Sequence, residues 1–306
     1  MDVALVFDLL LCLVVVAVAL GAVAGRDLFA GIALYIVYGL LLAIAWVRLG
    51  AVDVALAESA IGAGLTGVLL LGALGRIKGQ EQGRLRLRPV TIALCSAVAG
   101  GLGWAVLTLP EAGAGLRPHV EANLADSGAE NPVTAVLLNF RGWDTLLEAM
   151  VLLVALVAVW SLTADDLWGG RPGLRQQVRP DGVLATFGRF LLPLGIVVGI
   201  YLVWVGTSAP GGAFQAGTVL AAVGLLAMMA GLIKPPAVSN PNLRWLLIAG
   251  PLLFLGAGLF GLANGAFLRF APAHAKELII AIEFALAVSI AAILALLVLG
   301  PPRSTR

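Results

Sequence analysis

The sequence predicts an all-α, polytopic integral membrane protein with about nine transmembrane helices, and three observations support this fold class. Hydrophobic residues make up 61% of the 306 residues and charged residues only 12%, with a mean hydropathy of +1.04. Too little polar surface remains to cover a water-soluble globule. Apolar stretches long enough to cross a hydrocarbon core about 30 Å thick recur along the chain. They lack the apolar/polar alternation of barrel strands, so helices are predicted.

A hydropathy window of about 19 residues places the individual spans. The predicted spans are 3–23, 28–47, 54–74, 90–109, 145–162, 184–205, 217–233, 244–264 and 278–299. Two longer polar segments divide them into groups of three, two and four. Segment 110–143 is predicted to be a long connector or a short folded cap, and the Gly- and Pro-containing segment 164–181 a linker.

The distribution of basic residues predicts the orientation of the chain. Lys and Arg concentrate in 76–88, 171–179, 234–244 and 303–306. In a nine-span chain all four segments lie on one side of the membrane, and basic loops favour the cytoplasmic side. We therefore expect the N-terminus outside and the C-terminus in the cytoplasm. The loops predicted outside contain the exceptions Arg117, Arg141, Arg269 and Lys276.

Several kinds of function are disfavoured by the composition. The net charge of +2 is spread over short loops, which does not suggest a nucleic-acid partner. Cys12 and Cys95 lie in apolar stretches far from any His or second Cys at metal-ligand spacing, and we expect both to be small apolar core residues. No nucleotide-binding, hydrolase or metal-ligand motif is present, so neither a cofactor nor a metal site is predicted.

Ionisable groups inside spans are costly in lipid, so those that occur are candidates for function. The third span contains Asp53 and Glu58, and at 100° per residue Glu58, Gly62 and Thr66 share one face. Small residues beside Glu58 allow close helix packing or a local π-bulge. Glu58 is a candidate for a proton or cation path, with Thr66 as a hydroxyl relay. The alternative is that Asp53 and Glu58 only begin a helix at its positive dipole end.

The fifth span begins with Asp144 and Glu148, which are i, i+4 neighbours on one helix face. Two stacked carboxylates at a membrane entrance can attract a cation. Alternatively, Asp144 caps the helix and pairs with Arg141 in the preceding turn. Glu148 lies one turn deeper in an otherwise apolar helix and is the stronger candidate for a path.

The last four spans contain further candidates. In the sixth, Arg189 is expected to snorkel and Pro193 to kink the helix, which frees a carbonyl. Gln215 follows a Gly-rich turn and is placed to bond the exposed backbone. Glu283 in the last span is a candidate for transport or subunit contact, and a buried pair with Lys276, two turns earlier, is an option.

Four sequence stretches resemble one family. Residues 50–67, GAVDVALAESAIGAGLTG, resemble a domain in the C-terminal part of the large A subunit of Mrp antiporters, also found as a small subunit of membrane-bound hydrogenases. Residues 131–148, NPVTAVLLNFRGWDTLLE, look like the next domain in that order. FLLP at 190–193 and SAPGGAFQAG at 208–217 are similar to the Mrp B subunit, whose turn usually has Gly where Ala213 and Ala216 stand.

The resemblance implies three modules, with boundaries at 1–88, 89–182 and 183–306, and carries Glu58, Glu148 and Glu283 over as their acidic groups. In this family the first two modules are related to a small membrane subunit of respiratory complex I, whose π-bulged helix lies at a proton path. The large antiporter-like body of the A subunit is missing from this sequence. The resemblance therefore implies a chain that does not transport alone.

The expected function is that of a membrane subunit of an Mrp-type monovalent cation (Na⁺)/proton antiporter, lining part of the cation or proton path. The expected partners are other membrane subunits, including large antiporter-like ones, in the cell membrane. Two alternatives stay open: a membrane-arm subunit of a redox-driven pump, such as a hydrogenase, and a structural scaffold whose acidic groups only cap helices and bind neighbours. The sequence does not distinguish Na⁺ from K⁺ or H⁺.

Overall fold

A computed structural model describes residues 2–25, 27–75, 89–109, 115–173 and 182–303. Nine long helices account for most of these residues. They are Val3–Ala24 (α1), Leu28–Arg48 (α2), Val52–Leu74 (α3), Pro89–Thr108 (α4), Gly142–Ser161 (α5), Val183–Val205 (α6), Ala213–Met229 (α7), Pro241–Gly261 (α8) and Ala275–Leu299 (α9). Eight are long and apolar enough to cross a membrane, and α7 is a shorter apolar helix of 17 residues. The predicted all-α, polytopic fold is confirmed.

The largest shift from the predicted boundaries is in α7, which was expected at 217–233. The helix begins directly after Gly212, whose φ of +121° ends the preceding turn. It ends at Met229, shortly before Gly231 at φ +70°. Glycine adopts positive φ without the steric cost that other residues have, so these two glycines set the bounds of α7. A hydropathy window does not detect such backbone signals.

Within the described residues, two helical stretches have π geometry. In α3 the π-helical residues are Glu58–Leu65, so a π segment forms at the place where small residues allowed one. A second stretch, Val136–Phe140, follows the short helix Pro132–Ala135 and ends at Arg141, where the backbone leaves helical geometry before α5. The short helix Arg117–Asn123 and the 3-10 turn Leu124–Asp126 precede it. The described part of 110–143 is therefore a folded cap rather than an open connector.

Helix α9 lies at the centre of the bundle. In its most apolar stretch of 18 residues, 61% of the residues are buried. The helix packs against α5, α6, α7 and α8. Helices α1, α2 and α3 form a second group, joined to the first where α3 meets α7 and α9. Helix α4 contains no buried residue, and Cys95 on it and Cys12 on α1 are exposed. The prediction that both cysteines are core residues is wrong for this chain. No other part of the described chain covers the helix faces on which Cys12 and Cys95 lie.

Helices α8 and α9 cross closely at Gly250 and Pro251 of α8. A Cβ on Gly250 would lie 2.8 Å from the Leu286 Cα and 2.9 Å from the Ala285 carbonyl oxygen. Pro251 has no N–H and so frees the carbonyl four residues earlier, that of Leu247. The buried hydroxyl of Ser289 on α9 donates to this carbonyl. A polar defect in one apolar helix is thus satisfied by its neighbour.

The described loops sort into two ends of the bundle. At the predicted inner end, the two-residue strands Arg171–Pro172 (β1) and Pro302–Arg303 (β2) pair antiparallel, and Val238 N–H donates to the Gly170 carbonyl. At the predicted outer end, Lys276 lies 3.6 Å from Glu130. This grouping agrees with the alternation of nine spans, while the assignment of inside and outside stays a prediction. The basic segment 76–88, residues 174–181 and Arg306 lie outside the described residues.

We expect Gly250→Ala to destabilise the protein by about 1–3 kcal/mol, because the added methyl overpacks the α8–α9 contact. The matched control is Gly256→Ala in the same helix, where a Cβ would meet nothing within 4 Å. The control should change stability by less than about 0.5 kcal/mol. Thermal unfolding of the detergent-purified chain, followed by tryptophan fluorescence, tests both. An equal loss of stability in the two variants would contradict this packing.

Candidate functional site

One cavity brings together carboxylates from three separate helices. It has a volume of about 240 Å³ and lies between α3, α5, α7, α9 and the helical segment before α5. Asp53 of α3, Glu148 of α5 and Glu283 of α9 all line it. Thr134, Thr145 and Gln215 add further polar groups, and the remaining lining residues are Gly or apolar. The described lining therefore contains three acidic side chains and no Lys or Arg.

Glu283 is the most deeply buried of these carboxylates, with 3% of its surface exposed. Its Oε2 atom has no hydrogen-bond partner among the described residues. The carboxylate lies against the turn 206–212: a Cβ on Gly212 would be 3.2 Å from Oε1, and a Cβ on Gly206 3.3 Å. The Ala213 N–H at the start of α7 also faces it. Only a turn that lacks side chains at these positions lets the acid approach the backbone so closely.

Asp53 connects α3 to the same turn. Its Oδ1 accepts a hydrogen bond from the Gly211 N–H at 3.1 Å, and its backbone carbonyl accepts one from Gln215 Nε2 at 3.4 Å. Gln215 was expected to bond exposed backbone near its own turn, and its partner is instead the backbone of α3. Asp53 therefore does more than begin a helix, because it fixes a turn 158 residues away in the chain.

The helical segment before α5 forms hydrogen bonds to the same turn, 206–212, from the other side. The Thr207 carbonyl accepts from the Asn131 N–H at 2.9 Å, and the Asn131 side chain donates to the Ala209 carbonyl at 3.2 Å. The buried Thr134 hydroxyl donates to the Gly206 carbonyl. Thr134 is not among the site residues predicted from the sequence. The signal available was its place in the first turn of a helix that Asn131 caps and Pro132 begins.

The structure separates the two carboxylates of α5. Asp144 forms an ion pair with Arg141 at 2.6 Å, with both side chains more than half exposed, and it does not line the cavity. Glu148 lines the cavity without Asp144. Thr145, between them in sequence, is buried and donates to the Leu137 carbonyl at 2.7 Å, which joins α5 to the π-helical segment. The ion-pair interpretation of Asp144 and Arg141 agrees with this geometry.

Glu58 lies beside the cavity rather than in its lining. Ala57 and Ile61 of the same helix line it, whereas the half-buried Glu58 folds along its own helix. Its Oε1 occupies the space where a Cβ on Gly62 would stand, so the predicted common face of these residues is present. The Thr66 hydroxyl donates to the Ile61 carbonyl at 3.0 Å, a carbonyl within the π segment. Thr66 thus satisfies the π-helical backbone in this structure.

The remaining candidates lie away from the cavity. Arg189 and Pro193 lie on α6 outside the cavity lining. Arg189 and Pro193 are both exposed. The exposure of Arg189 agrees with a snorkelling arginine. Lys276 is near Glu130, so the pairing with Glu283 considered from sequence is wrong.

The arrangement favours a cation over an anion. Each carboxylate is expensive to ionise in a low-dielectric setting unless a positive charge or hydrogen bonds accompany it. Backbone N–H groups accompany Asp53 and one oxygen of Glu283, but no Lys or Arg of the described residues lines the cavity. A proton or a mobile cation can supply the remaining charge compensation, above all at the unpaired Oε2 of Glu283. Carboxylate, hydroxyl and amide oxygens are ligands for hard cations.

Three known families match successive parts of the chain. Residues 13–79 match the MbhD family and residues 84–165 the MbhE family, both described as subunits of MBH. Residues 183–301 match the domain related to the MnhB subunit of Na⁺/H⁺ antiporter. The cavity carboxylates Asp53, Glu148 and Glu283 fall one in each match.

Two curated proteins are similar in sequence. A probable K⁺/H⁺ antiporter A/B subunit of Rhizobium meliloti (strain 1021) is 26% identical over 262 residues, which cover 73% of this chain and 26% of that protein. An uncharacterized protein of Methanocaldococcus jannaschii is 30% identical over 155 residues, covering 46% of this chain and 59% of that protein. The chain thus spans about a quarter of the length of the first relative and under two thirds of the second.

Two solved structures share the fold. A chain of the Mrp complex from Dietzia sp. DQ12-45-1b matches with a TM-score of 0.75 and 26% identity, over 97% of this chain and 35% of that chain. A chain of an archaeal membrane-bound sulfane sulfur reductase matches with a TM-score of 0.54 and 22% identity, over 68% of this chain and 97% of that chain, which shows the fold alone. The three family matches in order, the A/B relative and the Mrp structure together support an Mrp-type fusion of A-subunit and B-subunit domains.

Proposed function

We propose that this chain lines part of a monovalent cation or proton path in an Mrp-type antiporter complex, and that the cavity of Asp53, Glu148 and Glu283 is a station on that path. The observation that carries the proposal is the convergence of three carboxylates, without a basic residue among the described lining, in one cavity of about 240 Å³. Intramembrane acids with no structural partner are characteristic of ion and proton routes. The buried, unpaired Oε2 of Glu283 has this character.

We further propose that the chain divides into modules 1–88, 89–182 and 183–306, each of which contributes one acid to the cavity. The family matches at 13–79, 84–165 and 183–301 support these boundaries. We also propose that the chain works with other membrane subunits, including large antiporter-like ones, in the cell membrane, and the multisubunit membrane complexes among its structural relatives support this. The chain then serves as a transport subunit without its own catalytic site.

Glu283→Gln tests the deepest acid of the cavity. Gln keeps the shape of the side chain but cannot bind and release a proton or balance a cation, so exchange should fall by roughly an order of magnitude or more. Sodium- and potassium-dependent proton exchange is measured in inverted vesicles that contain the complete complex, with assembly checked on native gels. The control is Glu277→Gln, an exposed acid in the first turn of the same helix.

Unchanged exchange in Glu283→Gln, at equal assembly, would contradict the path. Loss of assembly in Glu283→Gln but not in Glu277→Gln would instead favour the scaffold function, because the acid would then be needed for contacts between subunits. If Glu283→Gln assembles normally but loses Na⁺-dependent or K⁺-dependent proton exchange, the result supports a path for the ion whose exchange is lost.

Gly212→Ala tests whether the turn must stay open beside the acid. The new methyl would stand 3.2 Å from Glu283 Oε1, at a backbone φ of +121° that L side chains rarely adopt. We expect exchange to fall several-fold and the apparent affinity for the cation to weaken, because the carboxylate is displaced. Gly224→Ala in α7, where a Cβ meets nothing within 4 Å, should leave exchange unchanged in the same vesicle assay. Equal activity of the two variants would show that the turn does not shape the site.

A further inference from the structure

Two arginines are held side by side at the predicted inner end of the bundle. Strands β1 and β2 pair antiparallel, with Arg171 opposite Arg303 and Pro172 opposite Pro302. Both prolines are fully buried, and both arginines are exposed. Residues directly opposite each other in a ladder project to the same face. The two guanidinium groups therefore leave the same side of this small sheet.

The position of the pair is fixed by backbone rather than by the arginines themselves. A Cβ on Gly170 would lie against the Arg303 carbonyl oxygen, which leaves no room for a side chain. The Gly170 carbonyl accepts a hydrogen bond from the Val238 N–H at 3.2 Å. The segment after α5, the loop after α7 and the segment after α9 thus meet at one point.

Like charges directly opposite one another destabilise a strand pair unless something compensates them. The ion pairs within 4.0 Å among the described residues involve neither Arg171 nor Arg303. The exposed Asp165 and Asp166 lie a few residues earlier in the same loop without pairing to either arginine. The described structure therefore fixes two positive charges together and supplies no acidic group in contact with them.

The surroundings indicate the depth of this pair relative to a bilayer. Trp168, three residues before Arg171, is 42% exposed, and Trp245 at the start of α8 is 63% exposed. Exposed tryptophans at helix ends are characteristic of the headgroup level of a membrane. Lys234 and Arg244, both exposed, belong to the loop and helix start that contact the same segment.

We propose that Arg171 and Arg303 form a binding site for the phosphate group of an anionic membrane lipid. The planar guanidinium matches phosphate oxygens with two parallel hydrogen bonds, and one phosphate between two such groups cancels their repulsion. Basic clusters at the membrane surface are suited to acidic lipid headgroups. The lipid would join the linker before α6 to the segment after α9, and so stabilise the closed inner end of the bundle.

The test compares Arg171→Gln/Arg303→Gln with wild type in the complete complex, purified in mild detergent and stripped of lipid. Binding of phosphatidylglycerol and of phosphatidylcholine is measured by native mass spectrometry, and Tm is recorded with each lipid. Wild type should bind phosphatidylglycerol in preference and gain Tm from it. The double variant should lose about tenfold or more of that affinity, with an unchanged Tm in phosphatidylcholine because the strand pairing is made by backbone.

The control is Arg117→Gln/Arg269→Gln, which removes the same charge from exposed sites in loops of the predicted outer end. An equal loss of phosphatidylglycerol binding in the control would overturn the site, because net charge alone would explain it. Retained binding in Arg171→Gln/Arg303→Gln would overturn it directly. If inorganic phosphate raises the Tm of wild type as much as the lipid does, the ligand is free phosphate and the lipid assignment is wrong.

Discussion

The backbone of the turn 206–212 must find hydrogen-bond partners within an apolar bundle, and this need organises the rest of the structure. An unpaired backbone group costs several kcal/mol in hydrocarbon. Asp53 accepts from Gly211, while Asn131 and Thr134 donate to carbonyls of the turn. Partners from α3 and from the helical segment before α5 therefore complete the turn that precedes α7. Without these partners, polar backbone groups beside Glu283 would be left without hydrogen bonds in an apolar setting.

This arrangement brings acidic residues of three helices into the lining of one cavity. The same turn that needs Asp53 also approaches the carboxylate of Glu283, through glycines at 206 and 212. Glu148 reaches the cavity because the π-helical segment and the break at Arg141 set the start of α5 beside it. A change in the occupancy of any one acid alters the electrostatics of the others in a low-dielectric site. Under the proposed function, the three acids are thus coupled through the cavity that they line together.

The helical fold was predictable from sequence because hydrophobic length and basic loops follow directly from the physics of the bilayer. Glu148 and Glu283 were found because a charge in an apolar helix is conspicuous. The sequence did not indicate that Asp53, rather than Glu58, would line the cavity with them, since both lie on α3 and the choice depends on how α3 packs on α7. The partner of Gln215 and the role of Thr134 were also missed, because each bonds backbone more than 70 residues away.

The most direct test of the shared cavity is protection of its carboxylates by cations. A hydrophobic carbodiimide, which reacts with protonated carboxyl groups in membranes, is added to the complete complex with and without Na⁺ or K⁺, and the modified residues are identified by mass spectrometry. We predict that Glu283 and Glu148 are modified and that a monovalent cation protects both over the same concentration range, while the modification of Glu58 changes little. Modification of Glu283 and Glu148 that is insensitive to either cation would contradict a cation site in this cavity.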